Sequence, residues 1–155
     1  MNLASLLSRD RINLELKSTK KEEVLKDLVY MVKSKTDAEL IYSTLLKREE
    51  LGSTGIGKGI AIPHCRSLAV SKLEIAVGRT VKPINFNAID KKPVSLFFLI
   101  IAPPQDPGNQ YLITLGKIVQ ISRELTKSNL INKPQTPDEF ISLINEIEKK
   151  IVKKR

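Results

Sequence analysis

The chain has no tryptophan, one cysteine and one histidine among its 155 residues, and aromatic side chains make up only 5% of it. Each scarcity removes a class of explanation. A lone Cys65 cannot close an internal disulfide, which fits a reducing compartment. Without a second histidine or cysteine, neither a metal site nor a thiol dyad can be completed, so no metal is expected. Long apolar runs are also missing. The longest, Leu96 to Ala102, falls far short of the ~20 residues that cross a bilayer as a helix. No basic-then-apolar leader with a cleavage site opens the chain. These features predict a cytoplasmic protein with no stable membrane insertion.

Aliphatic residues and lysine are what the chain has in quantity. At 155 residues it is long enough to bury a core without staples, and residues 1–155 read as a single domain. The formal charge of +9 invites a nucleic-acid reading. The basic residues are spread along the chain, however, and only Lys149-Lys150-Ile-Val-Lys153-Lys154-Arg155 is dense. No helix-turn-helix, zinc or RNA-binding aromatic motif accompanies them, so the charge reads as a solvated lysine-rich surface with no nucleic-acid partner.

Periodicity orders the rest. Ile12, Leu14 and Leu16 alternate as in a half-buried strand. Thr19-Lys-Lys-Glu22 forms a capping-box pattern, and Val24, Leu25, Leu28, Val29 and Val32 give the following helix an apolar face. The pattern recurs at Thr36-Asp-Ala-Glu39, with Ala38, Ile41, Tyr42, Leu45 and Leu46 turned inward and Gly52 as the stop. Leu73, Ile75 and Val77 suggest a strand, followed by a separate proline-bounded piece around Ile84 and Phe86. Val94 to Ala102 is nearly continuous in apolar residues and reads as a central strand covered on both faces. After the loop Pro103-Pro-Gln-Asp-Pro-Gly108, a helix over 109–126 is expected to bury Leu112, Leu115, Ile118, Val119 and Leu125. The last helix opens at Thr136-Pro-Asp-Glu139, with Phe140, Ile144, Ile147 and Ile151 as its stripe. Helices interleaved with strands predict an α/β fold: a mixed central sheet flanked by helices.

One stretch, Arg48 to Arg66, concentrates the unusual chemistry. It holds Gly52, Gly55, Gly57 and Gly59, then Ile60-Ala61-Ile62-Pro63 and the sole histidine, His64. So many glycines require either positive φ or a close approach of the backbone to something else. A P-loop is excluded: the pattern lacks the hydroxyl that would hold Mg²⁺, because Gly59 stands there, and a strand follows where a helix must open. The dinucleotide fingerprint fails as well, since Ile60 occupies the third glycine position. No nucleotide cofactor is expected.

The stretch does resemble the phosphorylation-site signature of enzyme IIA domains of the bacterial phosphotransferase system, in the fructose/mannitol and nitrogen-regulatory superfamily. Arg48, Glu49, Leu51 to Gly57, Gly59 to His64 and Arg66 match that pattern as they stand. Weaker echoes lie in Asp90-Lys-Lys-Pro-Val94 and Ala102-Pro103, and the likeness spans almost the whole chain. The resemblance implies the same sandwich around a mixed sheet. It also implies that His64 accepts a phosphoryl group on Nε2 from the carrier HPr or an NPr-like paralogue, with Arg48 beside it.

The residues suit that chemistry. A neutral imidazole is a nucleophile near neutral pH, and the transferring group needs positioning and positive potential more than covalent help. Arg48 offers a planar fork for phosphate oxygens. The backbone at Gly55 and Gly57 and the hydroxyls of Ser53 and Thr54 are candidate phosphate contacts, although both hydroxyls could equally bond locally in a turn. Cys65 should point to the opposite face and play no part.

One position departs from the family. Where many members carry a second histidine followed by leucine, this chain has Tyr111-Leu112, a neutral phenol that can offer phosphate a hydrogen bond but no charge. Onward transfer to a sugar-specific IIB domain is therefore expected to be poor. No IIB, HPr or membrane segment accompanies the IIA-like region, which favours a stand-alone phosphocarrier with a nitrogen-type regulatory output on a transporter or kinase. The alternatives are a sugar-specific IIA component of a fructose/mannitol-type transporter and a binding module that has lost transfer.

Overall fold

The computed structural model describes residues 2–32 and 35–153, and of residues 35 and 36 the backbone alone. Its elements are α1 (Leu3–Leu6), a 3-10 turn (Arg9–Arg11), β1 (Ile12–Leu16), α2 (Lys21–Val32), α3 (Lys35–Leu51), β2 (Gly55–Gly57), β3 (Ile60–Ala61), β4 (His64–Arg66), β5 (Glu74–Ile84), β6 (Val94–Ala102), α4 (Gln110–Lys127) and α5 (Pro137–Lys153). The strands form one sheet in the order β1-β5-β6-β3-β2, with β4 also on β6. β5 runs antiparallel to β6, whereas β3 and β4 run parallel to it, so the sheet is mixed as the sequence predicts.

β6 is the axis of the molecule. Leu96 to Ala102 are all fully buried, and their alternation feeds two separate cores. Phe97, Leu99 and Ile101 pack with Val24, Leu25, Leu28 and Val29 of α2 and Ala38, Ile41 and Leu45 of α3. Leu96, Phe98 and Ile100 pack with α1 and with Ile118, Ile121, Phe140, Ile144 and Ile147 of α4 and α5. A strand with apolar side chains in both layers cannot alternate with polar ones, which explains the unbroken hydrophobic run in the sequence. Truncating any of these side chains to alanine would cost roughly 2–5 kcal/mol in lost burial plus cavity.

β3 and β4 are two pieces of one strand. Ile60 stands opposite Leu96 and His64 opposite Ile100, the same offset in both, so no residue is inserted or lost between them. The interruption falls at Ile62-Pro63, where proline has no N–H for the ladder. The Pro63 carbonyl still accepts from Ile100 N–H at 3.0 Å.

Several local expectations need correction. The glutamate that closes the start of α2 is Glu23, which accepts from Thr19 N–H and Lys20 N–H, both at 3.1 Å, so the capping box is shifted by one residue from Glu22. β5 runs on to Ile84 as one strand through Pro83, where the sequence suggested two pieces. The pairing with β6 slips between Arg79 and Ile84, which takes Pro83 past the regular ladder. On α4, Leu112 is 64% exposed and Tyr111 is buried in its place. The helix presents Tyr111, Thr114, Ile118, Ile121, Ser122 and Leu125, a face rotated from the one expected. The cap at Thr136 is present, with Glu139 N–H donating to its hydroxyl at 3.1 Å. The Thr36 side chain and the end of the basic tail, Lys154-Arg155, lie outside the described residues.

Candidate functional site

The glycine-rich segment is a β-hairpin. β2 and β3 pair antiparallel, and Lys58-Gly59 turns between them with φ of 56° and 88°. Positive φ at both central positions is the geometry that matches the twist of the flanking strands. Gly57 precedes the turn at φ 100°, a region hostile to any Cβ. Gly55 is required for a different reason: a Cβ there would stand 2.7 Å from Ala88 Cβ. Asp90 closes the tip, its carboxylate accepting from Lys58 N–H at 2.9 Å and Lys92 N–H at 3.0 Å. The Asp90-Lys-Lys-Pro segment is thus the clasp of the hairpin.

The hairpin leads into β4 and delivers His64 at its first position. The imidazole is partly exposed, and its Nδ1 lies 2.6 Å from the Ile62 carbonyl oxygen. A carbonyl can only accept, so Nδ1 carries the hydrogen and the lone pair belongs to Nε2. Burial lowers the pKa of His64. The Ile62 hydrogen bond opposes that, the Arg48 charge lowers the pKa further, and Glu49 raises it. The net effect is a neutral imidazole with its basic nitrogen free at ordinary pH.

Arg48 sits in the last turn of α3, where its Nη1 donates to the Gly52 carbonyl at 2.9 Å. Its charge reaches both His64 and Tyr111. Tyr111, at the start of α4, lies edge-on to the His64 ring with centroids 5.8 Å apart. Arg66 also stacks on Tyr111, its guanidinium carbon 4.7 Å from the ring centroid and its Nη1 donating to the Pro103 carbonyl at 2.9 Å. Burial, foremost, pushes the Tyr111 phenol well above its ordinary pKa, so it stays neutral. Asp106 anchors this helix start, accepting from Tyr111 N–H at 2.8 Å and Gln110 N–H at 2.9 Å. The structure therefore brings His64, Arg48 and Tyr111 together and adds Arg66 as a second cation. The sequence named Arg66 only as a basic residue in a signature.

Ser53 and Thr54 have other engagements. The Ser53 hydroxyl donates to the Phe86 carbonyl at 2.8 Å and accepts from Gly55 N–H at 3.0 Å. Thr54 is buried, and its hydroxyl and N–H both bond to the Glu49 carboxylate. Both hydroxyl hydrogens are thus given to protein acceptors, that of Ser53 to a carbonyl on a distant segment and that of Thr54 to a carboxylate in the last turn of α3. Cys65 is buried on the α3 side of the sheet, and burial raises its thiol pKa to about 12. Among the described residues no cluster of three or more His, Cys, Asp or Glu could hold a metal ion, and no helix is long and apolar enough to cross a membrane.

Known proteins share this arrangement of elements. The profile of the family described as "Phosphoenolpyruvate-dependent sugar phosphotransferase system, EIIA 2" matches residues 5–147. The chain is 33% identical over 154 residues to the nitrogen regulatory protein of Escherichia coli K12, covering 96% of this chain and 92% of that one. It is 31% identical over 153 residues to the fructose-specific EIIABC component of Bacillus subtilis, covering 96% of this chain but only 24% of that longer protein. The solved structure of nitrogen regulatory protein IIA-Ntr from Neisseria meningitidis superposes with a TM-score of 0.80 at 26% identity, over 92% of this chain and 98% of that one. The IIA mannitol structure of E. coli, at 19% identity and a TM-score of 0.71, covering 89% of this chain and 98% of that one, shows the same fold. The chain belongs to the EIIA type 2 family of the phosphoenolpyruvate-dependent phosphotransferase system.

Proposed function

We propose that residues 1–155 act as a single EIIA domain in the cytoplasm, taking a phosphoryl group from an HPr-type or NPr-like carrier onto Nε2 of His64 and serving a regulatory output. The observation that carries this reading is the 2.6 Å contact between His64 Nδ1 and the Ile62 carbonyl. It fixes the tautomer that leaves Nε2 as the nucleophile. In transfer, the Nε2 lone pair forms the new N–P bond while the N–P bond of the donor phosphohistidine breaks and its electron pair returns to the donor imidazole. Nδ1 keeps its hydrogen throughout. The phosphoryl group carries its charge on equatorial oxygens, and Arg48 supplies the fixed positive potential there. Arg66, held against Tyr111, adds charge at the rim.

Incubation with phosphoenolpyruvate, enzyme I and an HPr-type carrier should label the protein with an acid-labile phosphate that His64→Ala lacks. Label that persists in His64→Ala would overturn the assignment. The second reading, a sugar-specific IIA component, is favoured by the similarity to the fructose-specific protein along nearly the whole chain. Rapid transfer from the purified phosphoprotein to a IIB domain would put that reading first.

A further inference from the structure

Behind the hairpin lies a buried ion pair that the phosphoryl-transfer chemistry does not use directly. Lys21 Nζ, from the first turn of α2, stands 2.9 Å from Glu49 Oε2, with side chains 12% and 4% exposed. The same ammonium donates to the Phe86 carbonyl at 3.3 Å and lies 4.4 Å from the Phe86 ring centroid. Removing two charges from water is costly unless their remaining hydrogen-bonding capacity is met. Here it is met by the hairpin: Glu49 accepts from Thr54 N–H, at 3.0 Å to one oxygen and 3.3 Å to the other, and from the Thr54 hydroxyl.

The contacts continue in one direction. The Thr54 carbonyl accepts from Ile62 N–H at 2.9 Å, and the Ile62 carbonyl accepts the hydrogen of His64 Nδ1. A hydrogen-bonded chain thus runs from Lys21 through Glu49, Thr54 and Ile62 to the imidazole. Its last link sets both the ring's orientation and its tautomer.

We propose that Lys21 and Glu49 are positioning residues for His64, holding the Thr54–Ile62 segment so that the Ile62 carbonyl keeps the hydrogen on Nδ1 and leaves Nε2 free. Lys21 lies far from the signature in sequence and reaches it only through the fold. Without the ammonium, the Glu49 carboxylate is left buried without its counter-charge, so it draws in water and loosens its hold on Thr54. This proposal rests on His64 being the phosphoryl acceptor, but its main readout does not.

The test is the ¹⁵N NMR spectrum of the His64 side chain, above the pH at which the ring is neutral, in the full chain and in Lys21→Met, Lys21→Arg and Thr54→Val. In the parent protein the spectrum should report a single Nδ1–H tautomer. Lys21→Met should mix in the Nε2–H form and slow phosphorylation roughly tenfold to a hundredfold, the range for a reacting group misplaced by about an ångström. Lys21→Arg, which keeps the charge, should restore most of both. Thr54→Val keeps the N–H and the side-chain shape and should shift the tautomer ratio in the same direction by less, so it serves should Lys21→Met fail to fold. A Lys21→Met or Thr54→Val protein that melts at lower temperature with an unchanged tautomer and an unchanged rate would show the pair to be structural only and overturn the proposal. Label that persists in His64→Ala would sink the acceptor reading while leaving the tautomer result standing.

Discussion

His64 and Cys65 are neighbours in the chain and occupy opposite faces of the same short strand. Both are taken largely out of water, and in both burial is the first cause of a shifted pKa. Desolvation favours the neutral form of each, which moves the imidazole down and the thiol up. The chemical outcomes are opposite. The neutral imidazole is the form that attacks phosphorus, whereas the neutral thiol is the inert form of cysteine. One environment therefore arms one residue and silences the other, and placement on the α4 face or the α3 face decides access.

The largest effect expected from this contrast is in thiol chemistry. With the Cys65 pKa near 12, its thiolate fraction at pH 8 falls about three orders of magnitude below that of an unperturbed thiol. Alkylation of the native protein by iodoacetamide should therefore be slower by at least that factor and should rise only with unfolding. Phosphorylation should survive Cys65→Ala, which costs stability of order 1 kcal/mol as a small buried group is deleted. Fast alkylation of the folded protein would break the comparison.

Next in size is Arg48. Arg48→Lys keeps the charge but loses the fork, and acceptance of phosphate should slow by roughly tenfold or more, as expected for a lost bidentate contact, with a nearly unchanged melting temperature. Equal rates for the two proteins would reduce Arg48 to a cap on the Gly52 carbonyl.

The pH dependence sharpens the His64 half. Its folded pKa lies below its unfolded value, so the acid limb of the acceptance rate should fall below pH 6.5. The stability linked to this residue is complete above the unfolded pKa and is lost as pH falls through the folded one. Arg48→Gln removes a charge that depresses the pKa and should move the limb upward. A midpoint at or above 6.5 in the parent protein would contradict the burial argument.

The smallest expected effect belongs to Tyr111. Its ring stands beside His64 but remains a neutral phenol, so Tyr111→Phe should change phosphate uptake only about two- to fivefold, the scale of one neutral hydrogen bond. Tyr111→His introduces a group that can be charged and should speed single-turnover transfer to a IIB domain. Rapid transfer by the parent, unimproved by histidine, would mean that the phenol does not limit the protein.

Much of this was readable from local pattern. β1, the buried face of α2, the double-sided burial of β6 and the cap of α5 follow from periodicities that act within one element. The segment from Arg48 to Arg66 was legible because glycine permits, and proline fixes, backbone conformations that other residues do not. What escaped depended on distant partners. Glycine at 55 answers to Ala88, and the Ser53 hydroxyl to the Phe86 carbonyl. Lys21 gives no sign in sequence of its contact with Glu49. Leu112 looked like a core residue because it is apolar, but the Asp106 cap and the stacked Arg66 turn Tyr111 inward and leave Leu112 to solvent.

The shared offset of β3 and β4 along β6 has a consequence for how the protein can tolerate change. Side chains on a strand have a parity, and one residue added or removed between Gly59 and His64 inverts it. Such an indel would send the imidazole into the α3 core and bring the thiol out beside Tyr111. The surrounding loops, from Ser67 to Leu73 and from Pro103 to Asn109, can absorb length with no such exchange. Proline at 63 interrupts the ladder while leaving that count intact, so the break next to His64 does not scramble which face the imidazole occupies.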